Sequence, residues 1–423
     1  MPEHKENKTL VDRLFRHDRV VIEASLVIAN GSFFQPTGFP DIGSCVFIDK
    51  DGRRRCLVES EQSMANRLEA VCMQAPGTWR APFATKLPVI RVVDGNGGLL
   101  GTSLTEPHRL SSTYILEGTR AGSSNLQEIL REKFGVSTDG KRWPLDKRAA
   151  LSRVVFALDP AAVLHGFQFM QWSAVGLRQQ RLLHARIEAV LAGDSDVHYG
   201  AVKVDSIDPN GHKAKTNIGQ SIAHKARLVP ESIIATFEID VLGLRERWLV
   251  CNKPEPHEEN EEPERKKQRE DALAQNEKAQ RFLLALALWK IRQFLADQPS
   301  FDARTGQVER SLRLRSDCGL KLIDPREGQQ HHPLQYRTQS NGAAFDPPVE
   351  LALTQLVTVA QGQVRPLEEP PDFKPLVEDV AGTDNIEIEV TWGKAATESN
   401  EPASAATDDG DDDEVDGGDD GGE

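Results

Sequence analysis

Residues 233–241 read Ile233-Ile234-Ala235-Thr236-Phe237-Glu238-Ile239-Asp240-Val241. Apolar side chains stand at every second position from Ile233 to Val241, with Thr236, Glu238 and Asp240 between them. Successive side chains of a strand point to opposite faces, so this spacing predicts a long strand with one face in a core and the other toward water. Val20, Ile22, Ala24, Leu26 and Ile28 repeat the pattern near the start of the chain.

Outward from these two strands the period changes. Glu59 to Val71 predicts a helix, with Ser60 as N-cap and Ser63 as a second candidate. Asn276 to Ala296 gives the strongest helical pattern, with Leu284, Leu288, Ile291 and Leu295 on one side. Val175 to Leu191 also reads as a helix, with Leu183, Ile187, Val190 and Leu191 inward and Arg178 and Arg181 on another face. Short strands are expected at Val154 to Leu158, ending at Asp159-Pro160, and from Val202 and Val204. Leu312 and Leu314 alternate with Arg313 and Arg315 in another, and Ile386, Ile388, Val390 and Trp392 make the last. The order strand, helix, strands, helix, strand is that of an α+β fold and fits a βαββαβ ferredoxin-like core, although other α+β folds share it.

Two charged segments interrupt this order. Lys253 to Asp271 carries Pro254, Pro256 and Pro263 and reads as a flexible insertion that turns helical towards Ala272. From Asp408 the chain is almost wholly Asp and Gly, too poor in apolar surface to offset its ordering entropy, so a disordered acidic tail is expected. The expected division is therefore 1–252 and 275–394 as two parts of one palm, 253–274 as the flexible insertion and 395–423 as the tail.

The 423 residues are 39% hydrophobic, enough for a sizeable core. The longest apolar run, Phe282 to Trp289, falls far short of the ~20 residues of a membrane span. Met1 to Lys8 is polar, unlike a signal peptide. A soluble, cytoplasmic protein with no membrane partner is the expectation. Five cysteines without a CxxC pair point to reduced thiols rather than disulfides or zinc. The formal net charge is −14, but Ala395 to Glu423 holds twelve acids and no base, and Glu255 to Asp271 holds eight acids against four bases. The rest of the chain is near neutral, which neither forbids nor demands a polyanion.

Signatures of catalysis are missing. Gly95-Asn96-Gly97-Gly98-Leu99-Leu100-Gly101 has Leu100 where a dinucleotide fingerprint needs glycine, and reads better as a hairpin turn. No Walker A, GxSxG, Ser-x-x-Lys or HExxH sequence occurs. The pair His331-His332 lies in a polar loop, and His165, between an Asp-Pro turn and Gly166, reads as a hydrogen-bonded structural residue. Glu59 and Glu61 could act as paired acids, but carboxylates at a helix start more simply complement its dipole. No catalytic residue, metal ligand or cofactor is assigned, and the chain is not expected to be an enzyme.

Two features suit a polyanion. Lys203 to Arg227 contains Lys203, Lys213, Lys215, Lys225, Arg227, His212 and His224 against Asp205 and Asp208, with a turn at Asn210-Gly211. An exposed loop with these charges fits phosphate contacts. After the first strand, Phe33-Phe34-Gln35-Pro36-Thr37-Gly38-Phe39-Pro40 offers aromatics for base stacking, although at least one of its phenylalanines is expected to plug the core.

Three stretches are more specific: Phe34-Gln35-Pro36-Thr37-Gly38-Phe39-Pro40-Asp41-Ile42-Gly43, the run from Cys56 to Glu69, and Leu158-Asp159-Pro160-Ala161-Ala162-Val163-Leu164-His165-Gly166. Together they resemble the RAMP-type backbone subunit, the "Cas seven" family, of the subtype I-U or I-G CRISPR effector (Cascade) complex. The resemblance spans roughly residues 10 to 330 and leaves out the acidic tail and the 253–271 insertion. It implies an RRM-like, ferredoxin-type palm with inserted finger and thumb elements. It also implies copies stacked head to tail on a CRISPR guide RNA, other Cascade subunits as neighbours, and target DNA met through guide pairing. A filament that accepts any spacer needs contacts without sequence information. Gln35, Thr37, Ser63, Asn66 and Arg67 are the expected lining of the RNA groove, Ser63 and Arg67 sharing a helix face. Lys213, Lys215, His224, Lys225 and Arg227 are the expected thumb contacts. A metal-dependent RNA endonuclease using Asp205, Asp208 or a histidine is one alternative, and a scaffold working through its acidic tail is another.

Overall fold

A computed structural model describes the chain from Lys8 to Trp392, apart from 37, 40–42, 121–123, 140, 171, 173–175, 194–197, 206–219, 255–260, 303–305, 315–318 and 324–333. The expected acidic tail, Asp208 and His331-His332 lie outside the described residues.

The fold is a mixed α+β structure built on an antiparallel sheet. Its main strands are β1 (Arg19–Ile28), β2 (Arg54–Glu59), β3 (Leu183–Leu191), β4 (Pro230–Asp240) and β5 (Leu334–Gln339). In space they run β5-β1-β4-β3-β2, flanked by Val349–Glu350 beyond β5 and Val46–Ile48 beyond β2. With β2 set aside, the order is fourth, first, third, second along the chain. The registers place Ile22 opposite Phe237 and Ala235 opposite Ile187, so the inward rows of three strands meet. Val20, Ile22, Ala24, Leu26, Ile233, Ala235, Phe237 and Ile239 are all buried, as the alternation requires. Each such large side chain contributes roughly 1.5–3 kcal/mol by leaving water.

Three helices matter for the site: α1 (Glu61–Ala70), α2 (Pro160–His165) and α3 (Pro263–Leu295). Helix α1 connects β2 towards β3 and α3 connects β4 towards β5, and α1 packs on β3 and against α3. In α3, Leu284, Leu288, Ile291 and Leu295 are all buried, with Trp289 edge-on to Phe83 and Phe294 edge-on to Phe237. A second sheet pairs Glu387–Thr391 in parallel with Val89–Val93, which also pairs with Leu99–Thr102. The turn between these last two is the expected one: Asp94 Oδ1 accepts from the N–H groups of Asn96 and Gly98, and Gly97 sits at φ +82°.

Four expectations are corrected. Residues 183–191 form a strand, not the end of a helix: Leu183, Ala185, Ile187 and Ala189 are buried at every second position. The small inward alanines hid the period of two. Val154 to Leu158 belongs to a helix, Ala150–Leu158, buried nearly all round, so its β-branched run carried no helical stripe. Asp159-Pro160 then separates two helices: Asp159 caps α2, and Pro160 takes the first turn, where a missing N–H costs nothing. Helix α3 starts at Pro263, well before Ala272, for the same reason, and its first turns consist of good helix formers. Leu312 and Leu314 are buried on either side of Arg313, which makes a single β-bridge to Gly319 rather than part of a longer strand. Among the described residues, Cys45, Cys56, Cys72 and Cys251 are free thiols, and burial pushes Cys56 up to about 12 and Cys72 up to about 11.

Candidate nucleic-acid interface

Beyond β1 the chain turns through Gly31 into Phe33-Phe34-Gln35. Phe34 is buried. Its N–H donates to the Leu228 carbonyl and the Leu228 N–H donates back to the Phe34 carbonyl, both at 2.9 Å. Leu228 follows a hairpin in which His198–Asp205 pairs with Gln220–Arg227, so the exit loop is tied to the hairpin root. Phe33 turns outward, 45% exposed, and the Arg227 guanidinium lies 4.9 Å over its ring. Gln35 is half-buried next in the loop. A flat aromatic face beside a cation matches both a base and a phosphate. The basic stretch and the aromatic loop, far apart in the chain, thus meet at one point.

Helix α1 is built differently. Ser60 caps it, its hydroxyl accepting from the Ser63 N–H at 3.3 Å. Ser63 and Arg67 do share a face, but it turns towards Glu59, the buried last residue of β2. Ser63 Oγ donates to Glu59 Oε2, and Arg67 donates to Glu59 Oε1 at 2.6 Å. Arg67 also donates to the carbonyls of Arg313 at 2.8 Å and Ser311 at 3.2 Å. Asn66 is the exposed member of this expected groove set, accepting from Gln62 at 3.2 Å. Glu61 pairs with Arg181 at 3.3 Å, so neither glutamate stands as a free acid.

Of the other expected contacts, Thr37, Lys213 and Lys215 lie outside the described residues. His224 and Lys225 lie on the second hairpin strand, opposite Ala201 and Gly200, and Asp205 lies opposite Gln220.

Behind α1 is a buried polar cluster. Arg109 donates to both oxygens of Glu69 at 2.6 and 2.8 Å. His165 and Lys290 are buried, with Lys290 Nζ 2.8 Å from His165 Nε2. Burial, then the charges of Lys290 and Arg109, hold His165 well below the ordinary histidine range, so Nε2 of the neutral ring accepts. Burial, and then the Glu69 charge, pushes Asp159 up to about 6. The structural reading of His165 fits this enclosure.

Sequence reasoning missed the open face of the sheet. There Arg337 pairs with Glu23 at 3.1 Å, Arg19 with Glu238 at 2.6 Å, and Arg186 and Arg55 with Glu188 at 3.1 and 3.5 Å. The signal was present in the polar positions of the same alternation that revealed the core.

Residues 20–193 match the family model described as CRISPR-associated protein GSU0053 (Cas_GSU0053). All three stretches that carry the sequence resemblance fall inside the matched residues, as do Phe33 and α1. No curated protein matches the chain. Among solved structures, the chain is similar to a chain of a "CRISPR RNA-guided surveillance complex, pre-nicking", at 12% identity and TM-score 0.26, over 69% of this chain and 74% of that one. It is likewise similar to Thermofilum pendens Csc2, at 11% identity and TM-score 0.26, over 74% of this chain and 68% of that one. Likeness at that score carries no weight for fold or function.

Proposed function

We propose that the chain is a guide-RNA-binding backbone subunit of a type I-U or I-G CRISPR effector complex. The strand order fourth-first-third-second, with α1 and α3 in the two crossovers, is read as an RRM-like palm and the 198–227 hairpin as its thumb. The observation that carries the reading is the junction of loop and hairpin, where Arg227 covers Phe33, itself within the matched residues 20–193. Copies pack head to tail along the spacer, a heterologous contact whose length the RNA sets. Target DNA is met through guide pairing, other Cascade subunits bind the ends of the stack, and the chain itself cuts nothing. It works in the cytoplasm, where guide and invading DNA meet.

The test is co-expression of the full chain with its guide RNA and partner subunits, followed by size exclusion with mass and the 260/280 nm absorbance ratio. Lys213→Glu/Lys215→Glu/Lys225→Glu runs beside it. A large RNA-containing particle with several copies, RNA-poor in the triple variant, supports the reading and the thumb. A particle that survives the variant keeps the function and moves the contact to the Phe33–Arg227 junction. An RNA-free monomer throughout overturns it.

A further inference from the structure

A second basic surface lies well along the chain from that junction. The segment Lys141-Arg142-Trp143-Pro144-Leu145-Asp146-Lys147-Arg148 holds four bases and one acid, and Lys141, Arg142, Lys147 and Arg148 are all exposed. Leu145 is 79% exposed, the most of any large apolar side chain among the described residues. Nothing in the guide-coating reading uses it.

The segment is held in shape rather than trailing. The Ser137 N–H donates to the Arg142 carbonyl at 2.9 Å, and the Arg142 N–H donates to Ser137 Oγ at 2.9 Å. The Lys141 N–H donates to Asp139 Oδ1 at 3.1 Å. Leu145–Lys147 forms one 3-10 turn, with the Lys147 and Arg148 N–H groups donating to Pro144 and Leu145 carbonyls at 3.2 Å. The Arg148 guanidinium lies 4.9 Å over the half-buried Trp143 ring, which fixes its plane. The cations therefore stand on both chain sides of a protruding leucine, on a backbone ordered before any ligand arrives. Two acids belong to this stretch: Asp146 within the turn, and Asp139, whose carboxyl the Arg142 charge helps to lower.

We infer that the Lys141–Arg148 turn is a docking site for a nucleic-acid duplex, with Lys141, Arg142, Lys147 and Arg148 on phosphates and Leu145 as an apolar wedge against the base steps. Flanking cations suit the two backbones of a duplex, and an apolar side chain between them is the device that unstacks a step. An acidic peptide would use the charges but gives no role to the leucine. The inference goes beyond the guide-coating reading and does not depend on it.

The experiment uses the full chain purified without guide RNA. Fluorescence anisotropy follows binding to a short labelled DNA duplex, to one strand alone, and to a synthetic peptide of residues 398–423. Lys141→Gln/Arg142→Gln/Lys147→Gln/Arg148→Gln is expected to lower duplex affinity at least about tenfold and to flatten the log affinity against log salt slope by about 3 to 4. Leu145→Ala is expected to weaken the duplex about tenfold while leaving the salt slope and single-strand binding unchanged. Circular dichroism melts matching the parent confirm that both variants fold, and since Leu145 is exposed that variant keeps the test open if the fourfold one does not. Duplex binding unmoved by either variant overturns the site. Leu145→Ala acting equally on one strand and on the duplex overturns the wedge, and charge-dependent binding of the acidic peptide without duplex binding assigns the face to an acidic protein instead. Failure of this test leaves the guide-coating particle intact, and failure of that particle leaves this binding measurable.

Discussion

The exit loop of β1 and helix α1 were both expected to face RNA, yet they spend their polar groups in opposite directions. At the loop, Phe34 goes into the core and Phe33 stays out under Arg227, leaving a flat face and a cation at the surface. At the helix, Ser63 and Arg67 turn in to satisfy Glu59. The difference comes from what lies beneath. A carboxylate at the end of a buried strand must be paired, and the nearest donors on the next helix are drawn to it. Residues with the right chemistry for a ligand are then already occupied by the fold.

Three substitutions probe this contrast, in falling order of effect. Arg67→Ala leaves Glu59 buried with one of its two donors and should cost about 3–5 kcal/mol in urea denaturation. A cost below about 1 kcal/mol, with RNA binding lost instead, would return Arg67 to the groove.

Asp159→Asn tests the buried cluster behind the helix. The Asp159 carboxyl is pushed up to about 6, above its unfolded value of about 3.9. The folded state keeps a proton that the unfolded chain releases, so this contribution is complete at low pH and lost as pH rises through about 6. Relative to Asp159→Asn, the parent should lose roughly 2–3 kcal/mol between about pH 4 and 7. His165 works the other way: its lowered value removes stability as pH falls below about 6.5, in both proteins, and cancels in the difference. A flat difference would mean that Asp159 is not held as a buried acid.

Phe33→Ala should weaken RNA binding by about 1–3 kcal/mol, the worth of one stacked base. Its melt should move little, because the ring is already half in water. An affinity unchanged in the same titration would remove the loop from the interface.

Sequence alone was enough where one strong period stood unopposed. The inward faces of β1 and β4, the core of α3, the Ser60 cap and the Asp94 turn all followed from local chemistry. It failed where burial erased the period or filled it with small side chains, as in Ala150–Leu158 and β3. For the site, Arg227 and the loop after β1 were legible as chemistry, but their meeting was not. Charge and ring type are properties of residues. Which phenylalanine faces out, and whether an arginine meets solvent or a buried glutamate, depends on neighbours brought from far along the chain. Only the packing of the sheet and its helices decided that.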